Sequence, residues 1–291
     1  MEFLQPATWA EALAAKAGLP EAVPVQGGTD VMVELNFDVR RPPALLDLSR
    51  VAELARWTRE ADGRLRVGAG VPYARVITEL GDLLPGLAQA ARTVGSPQIR
   101  NRGTVGGNLG AASPAGDAHP PLLAGNAVVE VESAARGVRM IPAAGFYLGV
   151  KQSALEADEL IRAFWMSPAS GPQYFSKVGT RNAMVIAVCS FALALHPGER
   201  RVGTGVGSAA PTPRRAVAAE EFLGAELDWD AGLTPALLTR FGELAARATS
   251  PIDDVRGTAA YRRHAVAVMA RRTLTWAWHD LRSGNFDRRA D

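Results

Sequence analysis

The stretch that decides the fold lies between residues 99 and 117 and is dense in glycine. It reads Ile99-Arg100-Asn101-Arg102-Gly103-Thr104-Val105-Gly106-Gly107-Asn108 and, after four intervening residues, Ser113-Pro114-Ala115-Gly116-Asp117. Paired glycines let successive backbone N–H groups point into one concavity, which suits an anion. Because glycine and proline are frequent, the stretch is expected to be irregular, with much exposed backbone.

A second pair of glycines occurs upstream, in Gln26-Gly27-Gly28-Thr29-Asp30. It follows a short apolar run that predicts a strand. It precedes a helix expected over residues 30–35 and capped by Thr29, and a helix N-terminus adds partial positive charge. Neither pair is accompanied by a P-loop lysine, so the two loops together suggest a pyrophosphate bound between them. Either pair taken alone is equally well explained as a tight turn.

The rest of the chain predicts an α+β protein. A capping box from Thr8 to Glu11 begins a helix near Trp9, and short apolar strands on either side of the first glycine pair give residues 1–55 a small βαβ character. Residues 56–168 are expected to form a larger mixed or antiparallel lobe of the same domain. A stretch rich in Ser, Pro and Gly near residue 168 predicts a linker, and residues 172–285 a C-terminal domain of antiparallel sheet and helices.

Two patterns in the C-terminal part have a structural interpretation. The last helix is predicted from apolar positions that share one face: Val266, Met269, Ala270, Thr273, Leu274, Ala277, Trp278 and Leu281. The segment Gly205-Val206-Gly207-Ser208-Ala209-Ala210 fits a dinucleotide-binding pattern, but that pattern needs a helix directly after it. Pro211 and Pro213 follow instead, which argues against such a site.

The composition of the chain argues against several classes of partner and cofactor. The chain has 291 residues, 21% of them charged, and a net charge of +2, so no strong field favours nucleic acid or an anionic membrane. The single cysteine, Cys189, excludes an internal disulfide and an iron–sulfur cluster held by this chain's own thiolates. The four histidines show no ligand spacing, so no metal site is expected. Without a spanning apolar run or a secretory signal, a cytoplasmic protein with no membrane span is expected.

The stretch at 99–117 resembles the flavin signature of the medium subunit of the xanthine dehydrogenase and carbon monoxide dehydrogenase family, which are molybdenum hydroxylases. Residues 27–30 resemble the first pyrophosphate loop of that family. The resemblance continues through residues 174–181 and returns in residues 253–257 and 261–263, so it covers nearly the whole chain.

The resemblance implies FAD as the cofactor and a role for each matching residue. The two glycine loops would wrap the pyrophosphate, with side-chain contacts from Thr104 and Asn108. Asp117 would accept hydrogen bonds from the adenosine ribose or a neighbouring hydroxyl, and Lys177 would lie near the pyrimidine edge of the isoalloxazine and tune it. The simpler alternatives are a turn-forming Asp117 and a solvated Lys177. The complete predicted set is Gln26, Gly27, Gly28, Thr29, Asp30, Thr104, Gly106, Gly107, Asn108, Asp117, Leu160, Ile161 and Lys177.

The resemblance also implies a function as an oxidoreductase subunit. A small partner with two [2Fe–2S] clusters would pass electrons to FAD, and NAD⁺, oxygen or a quinone would receive them. A large partner holding the molybdenum cofactor would oxidise the substrate, so no residue of this chain would act on it, and a dimer of heterotrimers is expected. FAD would lie between the two lobes of the first domain, and the C-terminal domain would close over its isoalloxazine. The alternatives are a self-sufficient FAD oxidase and a non-enzymatic nucleotide-binding module.

Overall fold

The computed structural model describes residues 1–284 and Phe286; Asn285, where the predicted C-terminal domain ends, lies outside the described residues. The strands are β1 (Glu2–Leu4), β2 (Val23–Val25), β3 (Ala44–Asp47), β4 (Trp57–Arg59), β5 (Leu65–Gly68), β6 (Val128–Ser133), β7 (Gly137–Pro142), β8 (Tyr147–Gly149), β9 (Gln152–Ser153), β10 (Leu160–Met166), β11 (Gln173–Val178), β12 (Cys189–His196) and β13 (Arg201–Gly207). The helices are α1 (Trp9–Gly18), α2 (Val31–Asn36), α3 (Tyr73–Glu79), α4 (Pro85–Thr93), α5 (Pro97–Arg102), α6 (Val105–Ala111), α7 (His119–Ala124), α8 (Val217–Glu226), α9 (Pro235–Arg247) and α10 (Ala259–Ser283). The α+β class is confirmed.

The chain forms two compact units, and each is built from several stretches of sequence. The first unit comprises residues 1–75, 96–112 and 127–167, and the second comprises residues 76–95, 113–126 and the chain from 168 onward. This division differs from a single cut near residue 168, because α4 packs on β11 and α7 packs on β13. Two short helices before the predicted linker therefore belong with the C-terminal sheet.

The first unit contains a parallel and an antiparallel sheet. The small sheet has the order β1-β3-β2, and both outer strands run parallel to β3. The larger sheet has the order β4-β5-β10-β6-β7, with every neighbouring pair antiparallel. Helix α1 begins at the predicted capping box of Thr8 and Glu11, and Trp9 donates from its indole Nε1 to Glu132 of β6 at 2.7 Å. The βαβ-like lobe and the antiparallel lobe are both present as predicted.

The glycine-rich stretch is more regular than its composition suggests: the predicted irregular structure is wrong for most of residues 99–111, which form two helices, and right for residues 112–117. Ser96 caps α5, with Pro97 at its first position, and Thr104 caps α6. Proline is favoured at the first turn of a helix, and a Ser or Thr N-cap satisfies an otherwise unpaired N–H group. These start signals outweigh the low helix propensity of glycine over two short helices.

The second unit has one antiparallel sheet, β11-β12-β13, with helices on both faces. Alternate residues of β12 point to opposite faces. One face is covered by α8, α9 and α10, including the predicted buried stripe of α10; the other, lined by Ala192 and Ala194, packs with Ala90 of α4 and Ala124 of α7. The apolar run that leads into β12 starts at Met184, but the strand begins only at Cys189, and Met184 itself has a left-handed φ of 49°.

Glycine alternates along one face of β13, where α7 lies against it. A Cβ atom on Gly203 would lie 2.0 Å from the carbonyl oxygen of Ala124, and one on Gly205 would lie 2.1 Å from that of Pro120. A Cβ on Gly207 would lie 2.8 Å from Cγ of Pro120. The glycines of the dinucleotide-like pattern thus have a packing role: they let a helix backbone touch a strand backbone.

Three other features bear on function. Within residues 1–284 and Phe286, no helix is both long and apolar enough to cross a membrane. The same residues contain no cluster of three His, Cys, Asp or Glu side chains that could hold a metal ion. Cys189 lies in the core of the second unit, where burial raises the pKa of its thiol to about 12. The thiol therefore behaves as a small apolar group.

Candidate functional site

The first glycine loop, Gln26–Asp30, connects β2 to α2. Gly28 has a φ of 74°, in the left-handed region that glycine adopts without strain. The predicted cap is wrong by one residue, because Asp30 rather than Thr29 occupies the N-cap position of α2, and its side chain makes no capping hydrogen bond. Thr29 instead lies beside the second glycine segment, with its Oγ1 3.3 Å from the position of a Cβ on Gly103.

The second glycine segment is the N-terminus of α6 rather than an open loop. The Thr104 hydroxyl accepts a hydrogen bond from the Gly107 N–H at 2.9 Å, so this side chain and this amide are already engaged with each other. The first N–H groups of a helix have no carbonyl one turn earlier to bind. The antiparallel bridge between Pro72 and Thr104 engages the Val105 N–H, so the Gly106 N–H is the amide in this segment best suited to an anion.

The two glycine segments are in main-chain contact within the first unit. A Cβ on Gly27 would lie only 2.0 Å from the carbonyl oxygen of Arg102, which directly precedes Gly103 and Thr104. Such a close approach is possible only without a side chain. The structure therefore brings together the two loops that the sequence predicted to act as one site.

A third segment, which sequence reasoning missed, holds the two loops together. It is the turn Gly68–Tyr73 after β5. Gly106 packs against Ala69, since a Cβ on Gly106 would lie 2.5 Å from that of Ala69, and the Gln26 amide nitrogen lies 2.9 Å from a Cβ position on Gly70. The Tyr73 N–H donates to the Gly103 carbonyl at 2.9 Å. The Gly-Ala-Gly sequence directly after an apolar strand was the available signal for this close packing.

The first unit also presents acceptor atoms that its own residues leave unpaired. The side-chain oxygens Gln26 Oε1 and Asn108 Oδ1 are buried, and neither has a hydrogen-bond partner among the described residues. Buried acceptors without a donor are rare because they lose their hydration without compensation. A free helix amide for phosphate and unpaired acceptors for hydroxyl or amino groups together fit a dinucleotide such as FAD.

Of the two adjacent apolar residues predicted to contact the cofactor, Ile161 lies beside α6, the helix that the second glycine segment begins. Its Cδ1 lies 3.8 Å from a Cβ position on Gly110 of α6, whereas Leu160 is 1% exposed. Successive side chains of a strand point to opposite faces, so the two residues are not expected to line one surface. Leu160 belongs to the core of the first unit.

Asp117 and Lys177 form a buried ion pair in the second unit. The Lys177 ammonium donates to Asp117 Oδ2 at 2.5 Å, and the two side chains are 8% and 7% exposed. The Thr93 hydroxyl lies 3.1 Å from the same carboxylate oxygen, and the ammonium lies 3.4 Å from the Thr93 carbonyl. Asp117 Oδ1 is buried and has no partner within the described part of the chain. Neither the solvated-lysine nor the simple-turn alternative accounts for this geometry.

The direct contact changes the interpretation of these two residues. The resemblance gave Asp117 and Lys177 separate contacts with the cofactor, and the structure shows that each side chain is also the other's partner. Burial raises the pKa of Asp117, and the neighbouring Lys177 ammonium and Thr93 hydroxyl oppose that rise. The pair behaves as one polar group with a positive and a negative end.

The Thr104 cap gives a first testable prediction. Thr104→Val keeps the side-chain shape but removes the acceptor for the Gly107 N–H, so the free energy of unfolding should fall by about 1 kcal/mol. Thr104→Ser should retain nearly all of the stability. Urea denaturation of both variants checks the prediction, which an unchanged midpoint in the valine variant would contradict.

Comparison with known proteins assigns the chain to a family. Residues 1–166 match the family described as the FAD binding domain in molybdopterin dehydrogenase, and residues 174–277 match the CO dehydrogenase flavoprotein C-terminal domain. The chain is an FAD-binding subunit of the molybdenum hydroxylase family. This confirms the resemblance and FAD as the cofactor.

Individual relatives support the assignment of this FAD-binding subunit to the family. The chain is 33% identical over 282 residues to a putative xanthine dehydrogenase FAD-binding subunit of Escherichia coli, covering 93% of this chain and 94% of that one. It is 31% identical over 259 residues to the nicotine 6-hydroxylase medium subunit of Paenarthrobacter nicotinovorans, covering 87% and 88%. Among solved structures, carbon monoxide dehydrogenase from Hydrogenophaga pseudoflava aligns with a TM-score of 0.88 at 26% identity, covering 97% and 98%. The chain is thus an oxidoreductase subunit of a multi-subunit enzyme class.

Proposed function

We propose that this FAD-binding subunit carries electrons from [2Fe–2S] clusters in a small partner subunit to NAD⁺, oxygen or a quinone. The supporting observation is the main-chain contact between the two glycine segments at Gly27 and Arg102, which favours a pyrophosphate bound between them in the first unit. Bound FAD supplies the chemistry, because a flavin can take up electrons singly and release two together.

The residues of the chain then have distinct tasks. The Gly106 amide would donate to the pyrophosphate, and the unpaired oxygens of Gln26 and Asn108 would accept from hydroxyl or amino groups of the cofactor. Lys177, held by Asp117, places a positive charge near the flavin and favours its reduced form. Asp117 in this proposal positions Lys177 and uses its free oxygen to accept from a hydroxyl of the cofactor.

The partners complete the proposal. The names of the relatives denote one subunit of a larger enzyme, such as the medium subunit of nicotine 6-hydroxylase. By analogy, a large subunit with a molybdenum cofactor would oxidise the organic substrate, and the whole would form a dimer of heterotrimers. The domain division near residue 168 and the cytoplasmic location stay predictions.

The decisive experiment has two stages. First, the visible spectrum of the purified full chain is recorded, and any cofactor released by heat is identified by mass. Flavin bands and released FAD are expected, and a chain that stays colourless in excess FAD would support the non-enzymatic alternative. Second, the complex captured through this chain is supplied with reductant, and reduction of NAD⁺, oxygen and a quinone is compared. Turnover of a small molecule by the isolated chain would instead support a self-sufficient oxidase.

A further inference from the structure

The motif at residues 253–263 has no part in the function proposed above, but it contains a deeply buried guanidinium group. Arg262 lies in the first turn of α10 and is 3% exposed. Its Nη1 donates to the carbonyl oxygens of Val188 at 2.8 Å and Ser208 at 2.7 Å. A buried guanidinium that binds two main-chain carbonyls fixes the distance between their segments.

The two residues whose carbonyls bind Arg262 also donate hydrogen bonds to the segments that carry Lys177 and Asp117. The Val188 N–H donates to the Val178 carbonyl at 2.8 Å, next to Lys177 at the end of β11. The Ser208 N–H donates to the Pro114 carbonyl at 2.8 Å, three residues before Asp117. Hydrogen bonds therefore connect Arg262, through Val188 and Ser208, to the main chain next to Lys177 and to the main chain three residues before Asp117.

Two further contacts make this path rigid. The Ser208 hydroxyl donates to the Ala187 carbonyl at 2.7 Å, which joins the two segments directly, and Ser208 is held in the left-handed region at a φ of 57°. Asp254 accepts from Arg262 Nη2 at 2.5 Å and from the Arg256 N–H at 2.8 Å. The Asp254 carboxylate, in the same motif, therefore fixes the orientation of the Arg262 guanidinium.

We propose that Arg262 is a positioning residue for the flavin: it sets the spacing between the Pro114–Asp117 segment and Lys177, and thereby the position of the Lys177 ammonium. The proposal rests on the proposed function, in which that ammonium faces bound FAD. A purely structural role, attaching α10 to the sheet, would change stability but not the properties of the flavin.

The test compares Arg262→Met and Arg262→Lys in the full chain, with Arg215→Met as the matched control. Arg215 also pairs with a buried carboxylate, Glu220, in the same unit but has no hydrogen bond to the ion-pair segments. In Arg262→Met the Kd for FAD should rise about ten-fold, the change expected when a coupling of about 1.4 kcal/mol between hydrogen-bonded neighbours is lost. The reduction potential of bound FAD should also shift, and Arg262→Lys should restore part of both properties.

A double variant separates positioning from stability. If Arg262 acts through Lys177, then Arg262→Lys should shift the flavin potential in the native chain but not in a Lys177→Met background. Arg215→Met should lower the unfolding midpoint and leave both flavin properties unchanged. If Arg262→Met fails to fold, Arg262→Lys decides alone. Wild-type affinity and potential in a folded Arg262→Met chain would overturn the inference, as would wild-type values in Arg262→Lys where the methionine variant does not fold. A wild-type chain that binds no FAD would overturn the proposed function itself.

Discussion

Replacing Lys177 by methionine should lower the free energy of unfolding by about 3–5 kcal/mol at neutral pH, the usual cost of leaving a buried charge without its partner. Asp117, 8% exposed, would lose the ammonium that now lies 2.5 Å from it. The reduction potential of bound FAD should fall as well, because a positive charge near the flavin stabilises its reduced form. Urea denaturation and anaerobic titration of the FAD-loaded chain measure the two effects.

The stability loss should depend on pH in a defined direction. Burial already raises the pKa of Asp117 above its ordinary value of 3.8, and removing Lys177 removes the main opposing effect. The folded variant would then hold its proton more tightly than the unfolded chain, so its stability should fall as the pH rises above 3.8. The double variant Lys177→Met/Asp117→Asn should lose this added pH dependence and recover part of the stability. A Lys177→Met chain with the pH profile and flavin potential of the wild type would contradict the prediction.

Substituting Gly27 by alanine should weaken FAD binding about 100-fold, corresponding to about 2.7 kcal/mol. The new methyl group would lie 2.0 Å from the Arg102 carbonyl oxygen, and backbone on both sides leaves no flexible side chain to move aside. The two glycine segments would have to separate, which spreads the amides that a pyrophosphate needs. Fluorescence titration of the cofactor-free chain with FAD measures the affinity.

Gly110→Ala is the matched control for that substitution. Gly110 lies in α6 close to the same site, but an added Cβ there would meet only the Ile161 Cδ1 at 3.8 Å, an ordinary contact. Alanine is also the better helix former, by up to about 1 kcal/mol. Near-native FAD affinity is expected for Gly110→Ala, and equal affinities in the two alanine variants would rule out the close approach of Gly27 as a requirement for binding.

The features predicted best from the sequence are those that depend on residues close together along the chain. The capping box of Thr8 and Glu11 and the apolar stripe of α10 repeat at helical spacing, and both occur where expected. The prediction failed where local signals conflict. In residues 97–111 the glycines favour irregular structure, but Ser96 and Thr104 provide N-caps that begin two helices. Counting glycines without weighing the caps gave the wrong answer there.

The candidate site was predictable in its members but not in its contacts. Family resemblance marked Asp117 and Lys177, 60 residues apart, but nothing local to either shows that one neutralises the other. The turn after β5 was missed because Gly68 and Gly70 look like ordinary turn residues in the sequence. Their role becomes visible only when Gly106 and Gln26 pack against the turn. Contacts across such distances are decided by tertiary packing, which sequence periodicity does not contain.

The glycine face of β13 has a consequence for how accurately Asp117 can be placed. Where α7 crosses Gly203 and Gly205, backbone meets backbone, and at Gly207 the rigid ring of Pro120 lies against the strand, so the separation is fixed by atomic radii rather than by side-chain rotamers. Asp117 comes two residues before α7 begins at His119 and inherits that small positional tolerance. Asp117 is placed accurately because no side chains of the strand stand between it and the helix. Sequences could vary widely around this strand, but these three positions would accept no residue larger than glycine.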